Sequence, residues 1–399
     1  MTTLANSSPR LASPHALLDL AAIAQAPLRY GHKVRILRDG ALAFPAMLAA
    51  IRLARRAICF ENFIMAHDGT GETFAAALER SRRRGVHVRV LYDPIGTMLV
   101  RGGPVARRLR HADIEARAFR PLSPVAPWSW LRLWHRDHRK LLVVDESTAV
   151  LGGICISDHW APSDRGGGGW RDTAVLIRGP AVGDLQLAFE RMWGRARGLV
   201  PGSSVTQEIQ IGAVPPSRGE AAVIVVGDRP GTRRVAAIYE WLADHAEESL
   251  ELTDAYFVAP TGVLTALIRA ARRGVRVRLL LPGRNNHPIA GLAARRIYAP
   301  LLDAGAEIHE WNGVMLHAKT AVVDGVISLV GSSNLDPLSL HRNYELNVLV
   351  ADPAVGARMR ELFAQDLRAA ALVDPVAWDR RPLRAKVAEA AATLFSRYL

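Results

Sequence analysis

The chain has 399 residues, a length that predicts two or three domains. Because 49% of its residues are hydrophobic and 22% are charged, it can build large cores and is not a disordered chain. The chain has 51 Lys and Arg and 38 Asp and Glu, which gives a net charge of +13. A charge of this size indicates an anionic partner such as nucleic acid, an acidic membrane or a phosphorylated small molecule. Only Cys59 and Cys155 are present, which excludes a disulfide scaffold and a cysteine-based zinc site.

The apolar segments are too short to cross a membrane. The longest, residues 41–51, is followed at once by arginines and falls well short of the roughly 20 residues that a spanning helix needs. The first residues also lack the charged and apolar regions of a secretory signal. We therefore expect a cytosolic protein without a signal peptide or transmembrane segment, and peripheral membrane association stays open.

Two stretches repeat one α/β unit. Residues 81–94 and 270–283 each read as the end of an amphipathic helix, an Arg-Gly pair and a strand of alternating valines and arginines. A glycine after the last helical residue typically ends a helix, and the alternation predicts a half-buried strand. This repetition predicts an α/β fold in which each half carries a mixed or parallel sheet covered by helices.

A second repeat is more exact. The segment HRKLLVVD at 138–145 matches HAKTAVVD at 317–324, and each position of the second lies 179 residues after its counterpart. A duplication of about half the chain predicts two pseudo-symmetric lobes rather than a solenoid. We predict an N-terminal extension at 1–30, a first lobe at 31–205, a second lobe at 206–373 and an amphipathic tail at 374–399.

Each repeated segment carries the pattern His-x-Lys-x-x-x-x-Asp ahead of, or within, a short buried strand. Side chains alternate along a strand, so His138 and Lys140 are expected to point the same way, as are His317 and Lys319. An imidazole beside a fixed ammonium suits chemistry at a phosphate, where the cation neutralises oxygens and the ring attacks phosphorus or moves a proton. The chain has only four lysines, and two occupy this pattern, which argues against chance.

With these two motifs the chain resembles the phospholipase D superfamily, whose members carry paired HKD motifs. Within it the chain is most similar to short bacterial cardiolipin synthases without N-terminal transmembrane helices. The resemblance covers residues 31 to 399 and extends to WRDTAVLIRGPAV, the DAYFVAP run and MLHAKTAVVDGVISLVGSSNLDPLSLHRNYELNVLV. It implies two lobes, each a mixed sheet flanked by helices, with one active site at their interface and no metal or other cofactor.

The resemblance also implies roles for the motif residues. His138 is expected to be the nucleophile that forms a phosphohistidine and His317 the general acid and base, although the pseudo-symmetry allows the reverse. Lys140 and Lys319 are expected to hold the phosphate oxygens. Asp145 and Asp324, which close the motifs, are expected to hold loops by accepting hydrogen bonds from backbone amides.

Each histidine also needs a carboxylate on its other nitrogen, which fixes the tautomer. By resemblance Asp172 is assigned to His138 and Glu345 to His317. The alternatives are a turn aspartate at Asp172 and a surface charge at Glu345.

Asn334 matches a phosphate-contacting asparagine of the family, and Ser332 is a weaker candidate for the same pocket. The first lobe departs from this pattern because Cys155 stands at the corresponding position, and a thiol is a poor donor, so Cys155 is assigned to substrate binding with a weaker or altered contact. Leu338 is a second departure, because arginine is usual there. Both departures bear on the identity of the donor more than on the type of reaction.

Two segments are candidates for membrane contact. Trp128, Trp130 and Trp134 precede the first motif, and tryptophan favours the headgroup region of a bilayer. The tail from 382 to 399 combines basic residues with an apolar stripe formed by Leu383, Val387, Ala390, Leu394 and Leu399. Packing against the protein core is the alternative for both segments.

The expected function is phosphatidyl transfer of the cardiolipin synthase type, from a phospholipid such as phosphatidylglycerol to an alcohol. Phospholipase D hydrolysis is the alternative, because the choice of acceptor depends on water exclusion. A nuclease of the same superfamily fits the positive charge but not the tryptophan-rich segment. The expected partners are an anionic membrane of phosphatidylglycerol and cardiolipin at its cytoplasmic face and the phospholipid substrate, with no nucleic acid. The sequence leaves the oligomeric state open.

Overall fold

A mixed β-sheet runs through the whole molecule in the computed structural model, which describes residues 10–99, 103–121, 134–196 and 219–394. Its strands are β1 Leu28–Arg38, β2 Ala57–Asn62, β3 His87–Tyr92, β4 Glu115–Ala118, β5 Leu141–Val144, β6 Thr148–Gly152, β7 Thr173–Arg178, β8 Ala221–Asp228, β9 Ser249–Thr253, β10 Arg276–Pro282, β11 Glu307–Trp311, β12 Thr320–Val323, β13 Ile327–Gly331, β14 Glu345–Ala351 and β15 Ala370–Leu372.

Helices cover this sheet. They are α1 Pro14–Ala24, α2 Asp39–Leu53, α3 Gly69–Arg83, α4 Pro94–Leu99, α5 Gly103–His111, α6 Ala181–Ala196, α7 Arg234–His245, α8 Thr261–Arg272, α9 Pro288–Arg296, α10 Tyr298–Asp303, α11 Pro337–His341, α12 Pro353–Leu367, α13 Pro375–Asp379 and α14 Leu383–Leu394.

The strand order repeats between the two lobes. The first lobe has the order β4-β3-β2-β5-β6-β7-β1, and the second has β11-β10-β9-β12-β13-β14-β8, with β15 added at its edge. The lobes join where β1 and β8 pair antiparallel, with Leu28 opposite Ile224 and His32 opposite Ala221. This order confirms the predicted α/β fold with two pseudo-symmetric lobes, each a mixed sheet flanked by helices.

The helix–glycine–strand units appear at the predicted places. In the first lobe α3 ends, Gly85 adopts a positive φ of 87°, and β3 follows. In the second lobe α8 is followed by Gly274 at φ 91° and then β10. Glycine occupies both positions because a side chain disfavours the left-handed conformation that turns the chain back into the sheet.

Three apolar cores organise the packing. Two outer cores lie within one lobe each, and the third contains side chains from both lobes together with α6 and α12. In this shared core Val143 of β5 and Val322 of β12 belong to the same cluster. Because the strands that follow the two motifs are joined by one core, the packing fixes the motifs relative to each other.

The N-terminal segment is part of this packing. Leu17 and Leu20 of α1 lie in the outer core of the second lobe, beside Ile224 of β8, and β1 begins at Leu28 within the predicted extension. The predicted boundary between the lobes at 205 and 206 lies outside the described residues.

The tail forms α13 and α14, and its apolar stripe faces outward. Leu383, Val387 and Leu394 are 75%, 58% and 77% exposed, whereas Glu389 and Ala392 on the other side are buried. Leu399 lies outside the described residues. Across the ranges given above, none of the helices combines the length and apolar character needed to cross a bilayer.

Candidate active site

His138 lies against a carboxylate from the second lobe. Its Nδ1 is 3.0 Å and 3.2 Å from the two carboxylate oxygens of Glu345. The backbone brings them together, because the His138 amide donates to the carbonyl of Tyr344 over 3.0 Å and Asp137 forms a parallel bridge with Tyr344. The imidazole is therefore held by the first residue of β14 and not by a residue of its own lobe.

His317 is held in the equivalent way by residues of the first lobe. Its Nδ1 is 2.8 Å from Oδ2 of Asp172, and its amide donates to the carbonyl of Arg171 over 2.7 Å. Arg171 in turn forms a parallel bridge with Leu316. The side chains of His317 and Asp172 are 7% and 0% exposed, so this pair is almost fully removed from water.

The assignment of carboxylates to histidines from the sequence is therefore wrong, because the structure crosses the pairs. Asp172 contacts His317 and not His138, and Glu345 contacts His138 and not His317. The physical reason is the two isolated bridges, in which the chain just before each carboxylate pairs with the chain just before the opposite motif. Each imidazole–carboxylate pair thus spans the lobe interface.

The motif histidines and lysines precede the strands. β5 and β12 begin only at Leu141 and Thr320, and both strands are fully buried, as predicted. Lys140 donates to the carbonyl of His138 over 2.5 Å, and Lys319 donates to that of His317. The Lys319 ammonium is also 2.8 Å from Nδ1 of His317.

The four motif groups share one electrostatic environment. Burial and then the charges of Lys140 and Lys319 lower the pKa of His138 well below 6.5. Burial, then Lys319 and, with a smaller effect, Lys140 lower the pKa of His317 to about 3, although Asp172 acts to raise it. Burial also lowers the pKa of Lys319 to about 8, and Lys140 contributes. The contacts of His138 with Glu345 and of His317 with Asp172 bring both motifs to the lobe interface, the common centre of the site, in agreement with the effect of each lysine on the pKa of both histidines.

The two carboxylates differ in protonation. Burial works to raise the pKa of Asp172, but the positive potential of His317 and Lys319 and the hydrogen bonds to the carboxylate hold that pKa below 3.8. Burial raises the pKa of Glu345 to about 7, against the opposing charge of Lys140. Asp172 is consequently ionised at neutral pH, whereas Glu345 exchanges its proton near neutrality.

The residues predicted to contact phosphate are buried beside this centre. Asn334 is 4% exposed, its amide nitrogen lies 3.4 Å from Oγ of Ser339, and its Oδ1 has no hydrogen-bond partner among the described residues. The Ser332 hydroxyl donates to Oε2 of Glu345 over 2.5 Å. Ser332 therefore uses its only hydroxyl proton in the contact with Glu345. At Cys155, burial raises the pKa of the thiol, although Lys140 opposes this shift.

Asp145 and Asp324 lie at the far ends of the motif strands. Asp145 accepts hydrogen bonds from the amides of Arg55, Arg56 and Ala57 over 2.8–2.9 Å. Asp324 accepts from the equivalent amides of residues 247–249 over the same distances. Each carboxylate thus ties the start of a neighbouring strand to its own turn, as expected for residues that hold loops.

Of the three tryptophans predicted to contact a membrane, Trp128 and Trp130 lie outside the described residues. Trp134 is 38% exposed, and the guanidinium of Arg342 lies 4.8 Å from its ring centroid. An exposed ring stacked with a cation lies at the surface and not in the core between the lobes.

Two buried ion pairs next to the first motif were missed from the sequence. Arg136 contacts Asp93 over 2.8 Å, and Arg139 contacts Glu61 over 2.7 Å, with all four side chains 7% exposed or less. Buried charges of this kind require partners, and these pairs fix the chain on both sides of His138. The available signal was the run of charges at 136–140 directly before an apolar strand.

Aromatic rings around the histidines were also missed. The ring centroids of Trp160, Trp170 and Tyr256 lie 5.2, 5.7 and 6.1 Å from that of His317. By contrast, Phe63 lies 4.9 Å from His138. These rings pack against the histidines and contribute to the burial that lowers their pKa values.

The geometry agrees with similarity to known proteins. A family model described as the phospholipase D-like domain of cardiolipin synthase matches residues 241–367. A cardiolipin synthase of Geobacillus thermodenitrificans is 32% identical over 389 residues, covering 96% of this chain and 76% of that protein. Cardiolipin synthase 1 of Staphylococcus epidermidis is 29% identical over 374 residues, covering 92% and 74%.

Similarity to a solved structure concerns the fold. The crystal structure of a phosphatidylserine synthase from Haemophilus influenzae superposes with a TM-score of 0.70 at 14% identity, covering 95% of this chain and 98% of that chain. Both lobes are therefore shared with that structure, together with their arrangement.

Proposed function

We propose that this chain moves a phosphatidyl group from phosphatidylglycerol to the hydroxyl of a second phosphatidylglycerol through a covalent phosphohistidine. The proposal starts from the family: the chain belongs to the cardiolipin synthase family of the phospholipase D superfamily and is a phosphatidyltransferase. The observation that carries the proposal is the pair of crossed imidazole–carboxylate contacts, with Lys140 and Lys319 acting on both rings. A phosphodiester between the rings has a nucleophile on one side and a proton donor on the other.

The carboxylates set up the histidines for these roles. A neutral imidazole that donates its Nδ1 hydrogen to Glu345 or Asp172 presents the lone pair of Nε2 to the common centre. The pKa of His138 lies well below 6.5, so its ring is unprotonated and nucleophilic at neutral pH. His317 is also unprotonated in the free protein, so the low pKa does not distinguish the two rings, and we assign His138 as the nucleophile by resemblance to the family.

In the first half-reaction Nε2 of His138 attacks phosphorus, and the bond from phosphorus to the glycerol oxygen breaks. His317 gives the departing oxygen a proton, so glycerol leaves as a neutral alcohol. The free protein holds the pKa of His317 at about 3, because of burial and Lys319. An anionic phosphodiester between the lysines offsets their charge and raises that pKa, which lets His317 carry the proton.

In the second half-reaction the incoming hydroxyl loses its proton to His317 and attacks phosphorus, and the bond to His138 breaks. Lys140 and Lys319 stabilise the charge on the phosphoryl oxygens throughout. Asn334 supplies an amide on the side of the second lobe, whereas Cys155 supplies only a thiol at the corresponding position. Phosphate binding is consequently stronger on the second-lobe side.

The test is to trap the intermediate. Purified protein is mixed with radiolabelled phosphatidylglycerol and quenched in alkaline detergent, because phosphohistidine survives base and not acid. We expect label on His138 in the wild type and none in His138→Ala, with turnover lost in both His138→Ala and His317→Ala. Label on a lysine or a cysteine contradicts the mechanism, and label on His317 contradicts the assignment of the nucleophile.

The products identify the acceptor in the same reactions. Phosphatidylglycerol alone should give cardiolipin and an equal amount of glycerol, since each transfer releases one glycerol. Phosphatidic acid as the main product contradicts the proposal and indicates hydrolysis, in which water takes the place of the acceptor alcohol.

Long-chain phosphatidylglycerol lies in a bilayer, and the outward face of α13 and α14 suits contact with that bilayer. Val376, Leu383, Val387 and Leu394 are more than half exposed there. Arg384 lies on the same helix and is exposed. An apolar face flanked by cations binds at the surface of an anionic membrane.

Vesicle flotation tests this contact. We expect the triple variant Leu383→Ser, Val387→Ser and Leu394→Ser to float less with phosphatidylglycerol vesicles than the wild type does, since each serine removes apolar area from the contact. The double variant Leu42→Ser and Leu53→Ser is the control, because both residues are at least half exposed but lie on α2. Equal losses for the two faces contradict the assignment of α14.

A further inference from the structure

We propose that Trp160 is a positioning residue for the reaction, which holds the carboxylate of Asp172 in the orientation that His317 requires. The indole Nε1 of Trp160 donates to Oδ2 of Asp172 over 2.8 Å, and the same oxygen faces Nδ1 of His317 at 2.8 Å. The amide of Thr173 donates to the other oxygen, Oδ1, over 2.7 Å. Two donors besides the histidine therefore fix both oxygens.

The indole is itself held in place. Trp160 is 2% exposed and ends a short 3-10 turn, Asp158–Trp160, that Ser157 caps. Its ring packs against Trp170, with the centroids 4.7 Å apart, and edge-on against His317. Its carbonyl lies against Gly40, where an added Cβ would approach to 2.1 Å. A side chain so enclosed keeps its N–H directed at the carboxylate.

The other half of the site uses different donors for the same purpose. The hydroxyl of Ser332 donates to Glu345, and the hydroxyl of Ser339 also lowers the pKa of Glu345. Ser339 lies 179 residues after Trp160, so the two residues occupy corresponding places in the duplicated lobes. Each carboxylate is therefore supported from the same position, by an indole N–H in one half and a hydroxyl in the other.

The indole N–H favours the ionised form of Asp172. Removal of that donor makes the carboxylate more basic, so the pKa of Asp172 rises. A more basic carboxylate also stabilises the imidazolium of His317, and the pKa of His317 rises with it. Both changes move the limb of the pH–rate profile that belongs to this pair toward higher pH, an effect that a purely structural tryptophan does not produce.

The test is Trp160→Phe, which keeps an aromatic ring and removes only the N–H donor and part of the ring area. With dihexanoyl phosphatidylglycerol below its micellar concentration, we expect kcat to fall about tenfold, as for the loss of a hydrogen bond to a charged group. KM should change little, and the acidic limb of the kcat profile should move to higher pH. The matched control is Trp193→Phe, because Trp193 is equally buried in the core shared by the lobes.

Two outcomes overturn the proposal. One is a Trp160→Phe profile with the same limbs as the wild type, and the other is an equal shift in Trp193→Phe. If Trp160→Phe does not fold, the indole ¹⁵N–¹H resonance of Trp160 in the folded wild type provides the test, and it must move when Asp172→Asn removes the charge; an unmoved resonance overturns the proposal. The inference rests on the participation of His317, which the loss of activity in His317→Ala measures separately.

Discussion

The two halves of the active site have corresponding strands and bridges but different side-chain chemistry. In one, His138 contacts Glu345, which two serine hydroxyls support, and Phe63 lies beside the ring. In the other, His317 contacts Asp172, and three aromatic rings surround the imidazole. The duplicated lobes thus place equivalent histidines in environments suited to different tasks.

The difference in carboxylate length has a steric explanation. A Cβ at Gly153 would lie 2.3 Å from Oδ1 of Asp172, so the first lobe has room for the carboxylate only because this residue is glycine. The corresponding residue of the second lobe is Ser332, whose hydroxyl donates to Glu345. Both pairs, Asp172 with Gly153 and Glu345 with Ser332, therefore place a carboxylate against a motif histidine. Only the second pair supplies a hydroxyl.

The difference in environment gives the two carboxylates opposite pKa shifts. Asp172 lies below its ordinary value because the positive potential and its hydrogen bonds outweigh burial. Glu345 reaches about 7 because burial outweighs Lys140. A carboxylate that stays ionised supports an imidazolium throughout the reaction, which fits His317 as acid and base. In the mechanism that we propose, a carboxylate near its pKa can adjust its charge when the phosphatidyl group is attached to His138.

Amide substitutions test this comparison most severely. We expect Asp172→Asn to lower kcat by about 10³- to 10⁴-fold, because the amide cannot stabilise an imidazolium and favours the wrong tautomer of His317. Glu345→Gln should cost only about 10- to 100-fold at pH 7, because a neutral group already stands there part of the time. Initial rates with phosphatidylglycerol from pH 5 to pH 8 provide the measurement.

The pH dependence separates the two variants further. The ratio of wild-type to Glu345→Gln activity should grow from pH 5 to pH 8 as Glu345 ionises, whereas the ratio for Asp172→Asn should stay constant. Equal losses with parallel profiles would show that the two halves are chemically equivalent.

The sequence predicted the lobes better than it predicted how they meet. The repeated helix, glycine and strand at 81–94 and 270–283 carry local signals, and the structure confirms them. The antiparallel pairing of β1 with β8 and the bridge between Asp137 and Tyr344 join distant segments. Periodicity indicates which face of a strand is buried but not which strand lies beside it, so it could not predict these contacts.

The same limit explains the wrong pairing of carboxylates. Asp172 and Glu345 were assigned by the resemblance, which implies a carboxylate downstream of each motif, and each was paired with the histidine of its own lobe. The interface pairs them across lobes instead. Trp160 had no such signal, because its role depends on a 2.8 Å contact that only the folded 3-10 turn creates.

The smallest predicted effect concerns stability. The pKa of Glu345 rises from an ordinary 4.5 to about 7 on folding, so the folded state binds more protons between these values. Glu345 therefore contributes on the order of 3 kcal/mol to the free energy of unfolding. This contribution is fully present below pH 4.5 and is lost as the pH rises through about 7. Asp172, whose pKa falls below 3.8, contributes stability above pH 3.8 that is lost only in stronger acid.

Urea unfolding of the two amide variants from pH 5 to pH 8 measures these opposite signs. Relative to the wild type, Glu345→Gln should gain free energy of unfolding steadily up to pH 7 and then level off, because glutamine avoids the cost of a buried charge. The difference for Asp172→Asn should stay flat over the whole range, because Asp172 remains ionised throughout. A flat difference for Glu345→Gln would mean that Glu345 is ionised as fully as Asp172, and the contrast between the two halves would then reduce to the aromatic rings.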